Sequence, residues 1–268
     1  MSFFAPADYQ AMLLSAQVAV TATVLALPFG FAVACFLTYG PSRGKRLLDG
    51  LINLPLVLPP VVVGYLLLLA CGEHGWLAPL LHTLGMRIVF TWKAAVLASM
   101  VVGFPLLVRS IRLGLEAIDP HLLQASRSLG AGWFDTLFTI VLPLSQRSLL
   151  AGASLMFARS LGEFGATIIV AGNIPGVTRT IPLAIYDYTA TPGGERKALA
   201  LCLVAVVIAF AVLFLSESLV RRPRTVEKEC GSRSILPSGR VPLPWRPLLP
   251  PVASVLASSA APAAANRP

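Results

Sequence analysis

Charge is what this chain has least of. Only 12% of its 268 residues are Asp, Glu, Lys or Arg, about half the share of a soluble domain. With 56% hydrophobic residues, that scarcity excludes an ordinary soluble globular domain and points to a polytopic membrane protein. His74, His82 and His121 are isolated, and no HExxH pattern occurs, which removes the common helix-borne zinc site. Cys35, Cys71, Cys202 and Cys230 are scattered without a CxxC pair, so neither a disulfide framework nor a cysteine metal centre is expected. No Lys or Arg precedes Arg43. A cleaved signal peptide needs a basic start, so the first apolar run is expected to be a retained span. An intramembrane enzyme would need paired acids, a metal cluster or a nucleophile with its base, and no such set stands out.

What charge there is carries a sign, a net +9. The basic residues fall between apolar runs and near the C-terminus, with no basic–aromatic patch suited to base stacking. They fit cytoplasmic loops under the positive-inside rule, and no nucleic-acid partner is expected.

Five long apolar segments lie near 12–38, 51–71, 94–108, 148–171 and 198–220. A helix needs about 20 residues to cross the hydrocarbon, so the third is short unless it extends back through Phe90 and Trp92. The expected fold is an all-α transmembrane bundle of five spans, with a sixth crossing left open around Ile181–Tyr186. Loop 39–50 carries Arg43, Lys45 and Arg46. Loop 109–147 carries Arg109, Arg112, Arg127 and Arg147, and Arg221, Arg222 and Arg224 follow the last span. Alternation puts these inside, with the N-terminus outside and the C-terminus inside. Loop 172–197, with Arg179, Arg196 and Lys197, then lies outside against the trend. Residues 1–222 form the expected membrane domain, and 223–268, rich in Pro, Ala and Ser, read as a disordered tail.

The inner loop, about 110–146, is not featureless. Asp119-Pro120 is a helix start, an acidic cap followed by a proline suited to the first turn. Leu122, Ala125, Ser126 and Leu129 share one face at helical spacing. Gly130 fits the left-handed cap that ends such a helix. A second helix is expected from about Trp133 to Leu142, ended or kinked by Pro143. A small-residue face admits the close approach of another surface; the bland alternative is a helix resting on lipid.

This stretch resembles the EAA loop of ABC importer permeases: Glu-Ala-Ala, three residues, Gly, nine residues, Ile-x-Leu-Pro. Gln124, Ala125, Ser126, Gly130, Ile140, Leu142 and Pro143 occupy those places with complete spacing. Gln replaces Glu, keeping length and hydrogen bonding but losing charge, and Ser replaces the second Ala, keeping the face small. The resemblance implies that this helix docks on a cytoplasmic ATP-binding subunit. GPSRGKR at 40–46 has three residues, not four, between Gly and Gly-Lys, and Arg46 stands where a phosphate-binding loop has Ser or Thr. No cofactor is therefore expected in this chain; ATP and magnesium would sit on the partner.

LPLVLPPVVVGYLLL (54–68), FARSLGEFGAT (157–167), GNIPGVTRTIPLAIY (172–186) and TPGGE (191–195) are similar to molybdate permease subunits, across roughly residues 8–222. Sulfate, thiosulfate and tungstate permeases are the alternatives within that superfamily; a passive channel would leave the docking loop unexplained. The resemblance implies a second copy of the chain, two ATP-binding subunits, a periplasmic or extracellular molybdate-binding protein, and residence in the bilayer of the bacterial cytoplasmic membrane.

A tetrahedral dianion needs a hydrated or donor-lined path. Pro55, Pro59 and Pro60 break the second span, and broken backbone at membrane depth belongs against protein or a cavity. Asn53 through Gly64 is thus a candidate gate, the alternative being a kink that improves packing. Arg159 and Glu163, four apart, are expected to pair across one helix face; either the pair is structural or Arg159 touches the anion. Gly162, Gly165 and Ala166 offer a small surface for a homodimer contact, and Arg179 a contact for the binding protein.

Overall fold

The computed structural model describes residues 5–220 apart from 42, 43, 74 and 84, and leaves undescribed the side chains of 217, 219 and 220. The expectations for Arg43, His74, Arg221, Arg222, Arg224, Cys230 and the 223–268 tail therefore lie outside the described residues. Within them every regular element is a helix.

The first helix, α1 (Pro6–Tyr39), starts with Pro6 in its first turn, and Asp8 Oδ2 accepts from the Ala5 N–H at 2.8 Å. At about 1.5 Å per residue its 34 residues reach about 50 Å, more than the hydrocarbon needs. Its buried stripe is small: Ala11, Ser15, Ala22, Ala26, Gly30 and Ala34. That stripe lets α5 (Trp92–Glu116) approach closely. A Cβ on Gly30 would stand 2.8 Å from the Leu107 side chain.

The same logic joins α5 to α8 (Leu142–Leu161). Gly152 lies under Leu107 and Ser110, Gly103 under Met156, and Gly114 against Ser148. Leu107, Ile111, Leu115 and Met156 are fully buried between these helices. The α5 helix begins at Trp92 and runs on through Arg109 and Arg112 to Glu116, so the short third apolar segment is the middle of a full span.

Four described helices are long and apolar enough to cross a membrane: Pro6–Tyr39, Trp92–Glu116, Trp133–Leu161 and Glu195–Ser216. The last belongs to α11 (Glu195–Val220), whose apolar side chains are largely exposed, as a lipid-facing helix requires. The second apolar segment is a bent pair, α2 (Lys45–Val57) and α3 (Pro60–Cys71), meeting at 113°. Prolines at 55, 59 and 60 leave the carbonyls of Leu51, Pro55 and Leu56 without the amide donor four residues on, which favours the break there. A short helix, α4 (Ala78–Thr83), follows in the loop after α3.

Three readings are corrected by the geometry. The fourth apolar segment is not one span over 148–171. The crossing helix is Trp133–Leu161; it stops at Gly162, and 165–170 form a separate short helix, α9 (Gly165–Val170). Pro143 neither ends nor interrupts that crossing helix. It follows α7 (Trp133–Thr136) and a π-turn over Leu137–Val141, in which Leu142 N–H reaches back five residues to Leu137 O. The wider turn makes room for a proline ring and its missing donor. The open sixth crossing is not formed either: α10 (Ile181–Thr189) has nine residues, too few to span, and buries Ile181, Leu183 and Ala184 beside α1 and α11.

The α3 and α9 helices meet backbone to backbone. A Cβ on Gly64 would lie 2.7 Å from Ala166 O and 2.8 Å from Ala166 Cα, and one on Gly165 would lie 2.9 Å from Pro60 Cβ. Gly64→Leu should therefore prise the two helices apart and lower stability by about 1–3 kcal/mol. Gly50→Ala, where a Cβ meets nothing within 4 Å, should be neutral or gain up to about 1 kcal/mol. Thermal unfolding of the purified chain in detergent compares them; equal midpoints would refute the tight seam.

Candidate functional site

Two regions carry the sequence-predicted residues, and they lie in different parts of the bundle. The first begins where α5 ends. Three residues later Asp119 Oδ1 accepts from His121 N at 2.9 Å and caps α6 (Pro120–Ser128). The helix closes in a Schellman motif: Gly130 N–H bonds Arg127 O at 3.0 Å and Ala131 N–H bonds Ser126 O at 3.1 Å. Gly130 has φ +83° with open space where a Cβ would be, so the backbone conformation, not crowding, calls for glycine there.

The predicted shared face is divided by the fold. Ser126 turns inward, 7% exposed, its hydroxyl 3.1 Å from that of buried Thr136. That contact braces α6 against the start of the next span. Gln124 and Ala125 face outward, as do Leu122, Leu129 and Phe134. Ile140 and Leu142 are half-buried and Pro143 is exposed on the rising helix. Tyr39 fixes the loop to the rest of the bundle. Its hydroxyl donates to Leu115 O at 3.1 Å, and its ring meets Trp133 edge-on at 5.8 Å.

The second region is the break in the α2–α3 pair and the seam behind it. Pro59 is exposed at the break, Pro55 and Pro60 are half-buried, and Gly64 is buried on α9. Asn53 donates to Asp49 O at 2.7 Å and to Asp49 Oδ1 at 3.1 Å, one turn back on its own helix. Glu163 is 3% exposed in the gap between α8 and α9. Its Oε1 accepts from Ala166 N–H at 2.9 Å, and its Oε2 lies 2.8 Å from Arg159 Nη1. The carboxylate thus pins the start of α9, while Arg159, about a third exposed, neutralises it. The expected pair is formed, but across a helix end rather than along a continuous face.

The expected small surface is divided, with Gly162 exposed, and the loop arginine is not free. Gly165 and Ala166 are taken up by α3 within the same chain, so they are not open to a second copy. Arg179 is braced internally, by Asn173 Oδ1 at 3.0 Å and Asp187 Oδ2 at 2.8 Å. It does not stand out as a free contact for a binding protein. The same end of the molecule holds a link that sequence reasoning missed. Tyr188 donates to Asp8 Oδ1 at 2.6 Å. This carboxylate and partial burial push the Tyr188 phenol up to about 12, so it remains a donor at neutral pH. Ser15 also accepts Ile181 N–H at 2.7 Å, anchoring α10 to α1.

Comparison with known proteins matches this architecture. Residues 26–225 match the family described as binding-protein-dependent transport system inner membrane component. The chain belongs to that family. It is 50% identical over 218 residues to the molybdenum transport system permease protein ModB of Escherichia coli (strain K12), covering 81% of this chain and 95% of that one. It is 48% identical over 229 residues to ModB of Haemophilus influenzae, covering 85% and 99%. A putative molybdenum transport permease of Bacillus subtilis, YvgM, is 40% identical over 79% of this chain and 91% of its own. Among solved structures, a bacterial alginate ABC transporter in complex with a periplasmic protein aligns with a TM-score of 0.65 at 15% identity, over 82% and 80% of the two chains. The MetNI methionine ABC transporter aligns at 0.58 and 17% identity, over 81% and 98%. At such identities these two show the fold alone. This permease is thus a membrane-spanning component of an inner-membrane ABC transporter.

The ion pair makes a test with a definite order. Arg159→Gln leaves a buried carboxylate without its cation and should cost about 3 kcal/mol. Glu163→Gln leaves only a partly solvated guanidinium and keeps an oxygen for Ala166 N–H, so about 1 kcal/mol is expected. Thermal midpoints in detergent read the order; a larger loss for Glu163→Gln would contradict the pinning role.

Proposed function

We propose that the chain is the permease subunit of an ATP-driven molybdate importer, acting as a pair of copies with two cytoplasmic ATP-binding subunits. The observation that carries this reading is α6: a capped, Schellman-closed helix between two spans, with Gln124 and Ala125 outward at the motif positions. A passive channel has no use for such an element. The half-identity to permeases named for molybdenum transport favours molybdate over sulfate, thiosulfate or tungstate.

Lys45 and Arg46 open α2 and Arg127 lies on α6, and on the positive-inside rule the side that carries these loops is cytoplasmic. The Asp8–Tyr188 end then faces outside and receives the anion from a binding protein. ATP and magnesium act on the partner, which supplies the catalytic groups. ATP-driven closure of the partner subunits moves α6, and the path past the 58–64 break opens alternately to each side. Such a shift needs different contacts in the two states, which the exposed face of α6 supplies.

Labelled molybdate uptake in the host with this chain deleted tests the reading, with unlabelled tungstate and sulfate as competitors. We expect uptake to fall, and sulfate not to compete in the wild type. Unchanged molybdate uptake with lost sulfate uptake would overturn the substrate assignment. Gly130→Val forces a β-branched residue into a left-handed conformation at a cost of about 1–2 kcal/mol. It should lower both uptake and co-purification of the ATPase. Unchanged uptake would contradict the docking role of α6.

A further inference from the structure

The broken second span and the coupling loop lie far apart in sequence, yet one side chain joins them. Arg112 stands on α5 a single turn from its end, three residues before the Leu115 carbonyl that holds Tyr39. Its Nε donates to Glu116 Oε1 at 2.7 Å, and its Nη1 lies 3.3 Å from Asp49 Oδ2 on α2. Asn53 donates to the other oxygen of that carboxylate. Among the described residues this is the ion pair that ties α2 to the bundle. The helix needs such a tie, because none of its residues is fully buried; only Leu48 and Ile52 pack part-buried against the core.

We propose that Arg112 is a positioning residue that transmits movement of the docking helix to the gate. The inference rests on the importer reading above. The chain of contacts is short. The α6 helix follows α5 after three residues, so a push on α6 displaces the end of α5. Arg112 passes that displacement to Asp49, and α2 turns at 113° directly into α3, the helix seated on α9. The two carboxylates have different parts. Glu116 is on the same helix as Arg112, four residues on, and travels with it. It holds one edge of the planar guanidinium fork and aims the other edge at α2. Asp49 is the separable partner, oriented by Asn53. The pair is over a third exposed on each side, and exposed pairs add little to folding stability. A link between two helices that adds so little to folding serves transmission, and its loss should be felt in coupling rather than in folding.

The test uses the whole transporter, chain plus ATPase plus binding protein, reconstituted in lipid vesicles. The wild type must first show ATP-driven molybdate uptake; failure there would sink the importer reading and not this inference. Arg112→Gln and Asp49→Asn should each cut molybdate taken up per ATP hydrolysed about tenfold. Both variants should still co-purify with the ATPase and lose no more than about 3 °C in thermal midpoint. The double variant should fall no further than either single one, because both remove the same link. Glu116→Gln, which loosens only the aim, should fall less. An unchanged uptake-to-hydrolysis ratio in Arg112→Gln would overturn the proposal. So would a double variant whose loss is the product of the two single losses, or a ratio that falls only in step with a collapse of folded protein.

Discussion

Backbone polar groups have no partner in lipid, and that constraint decides the shape of this molecule. Three prolines within six positions break the second span, so its freed carbonyls must face protein or water. The chain covers part of the break by laying α9 against α3, and the contact is close enough only because Gly64 and Gly165 have no side chains. The fourth span stops at Leu161 so that α9 can occupy this place, and Glu163 fixes its start. Pro59, Val61 and Val62 remain uncovered within the chain. This open strip is where a hydrated path between two copies would run.

The other helices hold position around that strip. The α1, α5 and α8 helices pack through small residues at short distance, giving a stiff core. Stiffness matters for a device worked from one end: a push at α6 is passed on only if α5 moves as a rod. Ser126 with Thr136, and Tyr39 with Leu115 and Trp133, tie the α6 loop to the neighbouring helices. At the other end Asp8, Tyr188 and Ser15 hold α10 on α1, while Arg179 braces its own loop. Among the described spans the second is a bent pair, whereas the first, third, fourth and fifth run through; in the proposed importer this would separate a moving gate from a rigid frame.

The spans, the capped α6 helix and the break at Pro59 were legible in the sequence because each rests on local chemistry: hydrophobic run length, a cap followed by glycine, and a missing N–H. The Arg159–Glu163 pair was legible from its spacing. What was not legible depends on non-local geometry. Nothing local distinguishes an apolar run that forms one span from one that turns at Gly162 to seat a half-helix. The π-turn before Pro143 absorbs a residue that by rule should stop a helix. Arg179 looked free because Asn173 and Asp187, its partners, are brought to it only by the loop's fold. Arg112 and Glu116 do stand at pairing distance along α5, a usable signal; Asp49, 63 positions away, gives none.

The central claim is that the broken segment lines a hydrated route for the anion. In a cysteine-free version of the assembled transporter, single cysteines are placed at Val62, on the uncovered turn of α3, and at Val206, on the exposed face of α11. Both are then exposed to a small, charged, membrane-impermeant thiol reagent. The account predicts that the cysteine at 62 reacts, more slowly when molybdate is present, and that the one at 206 stays protected by lipid. Equal protection at both positions, or labelling at 62 that ignores the anion, would contradict it.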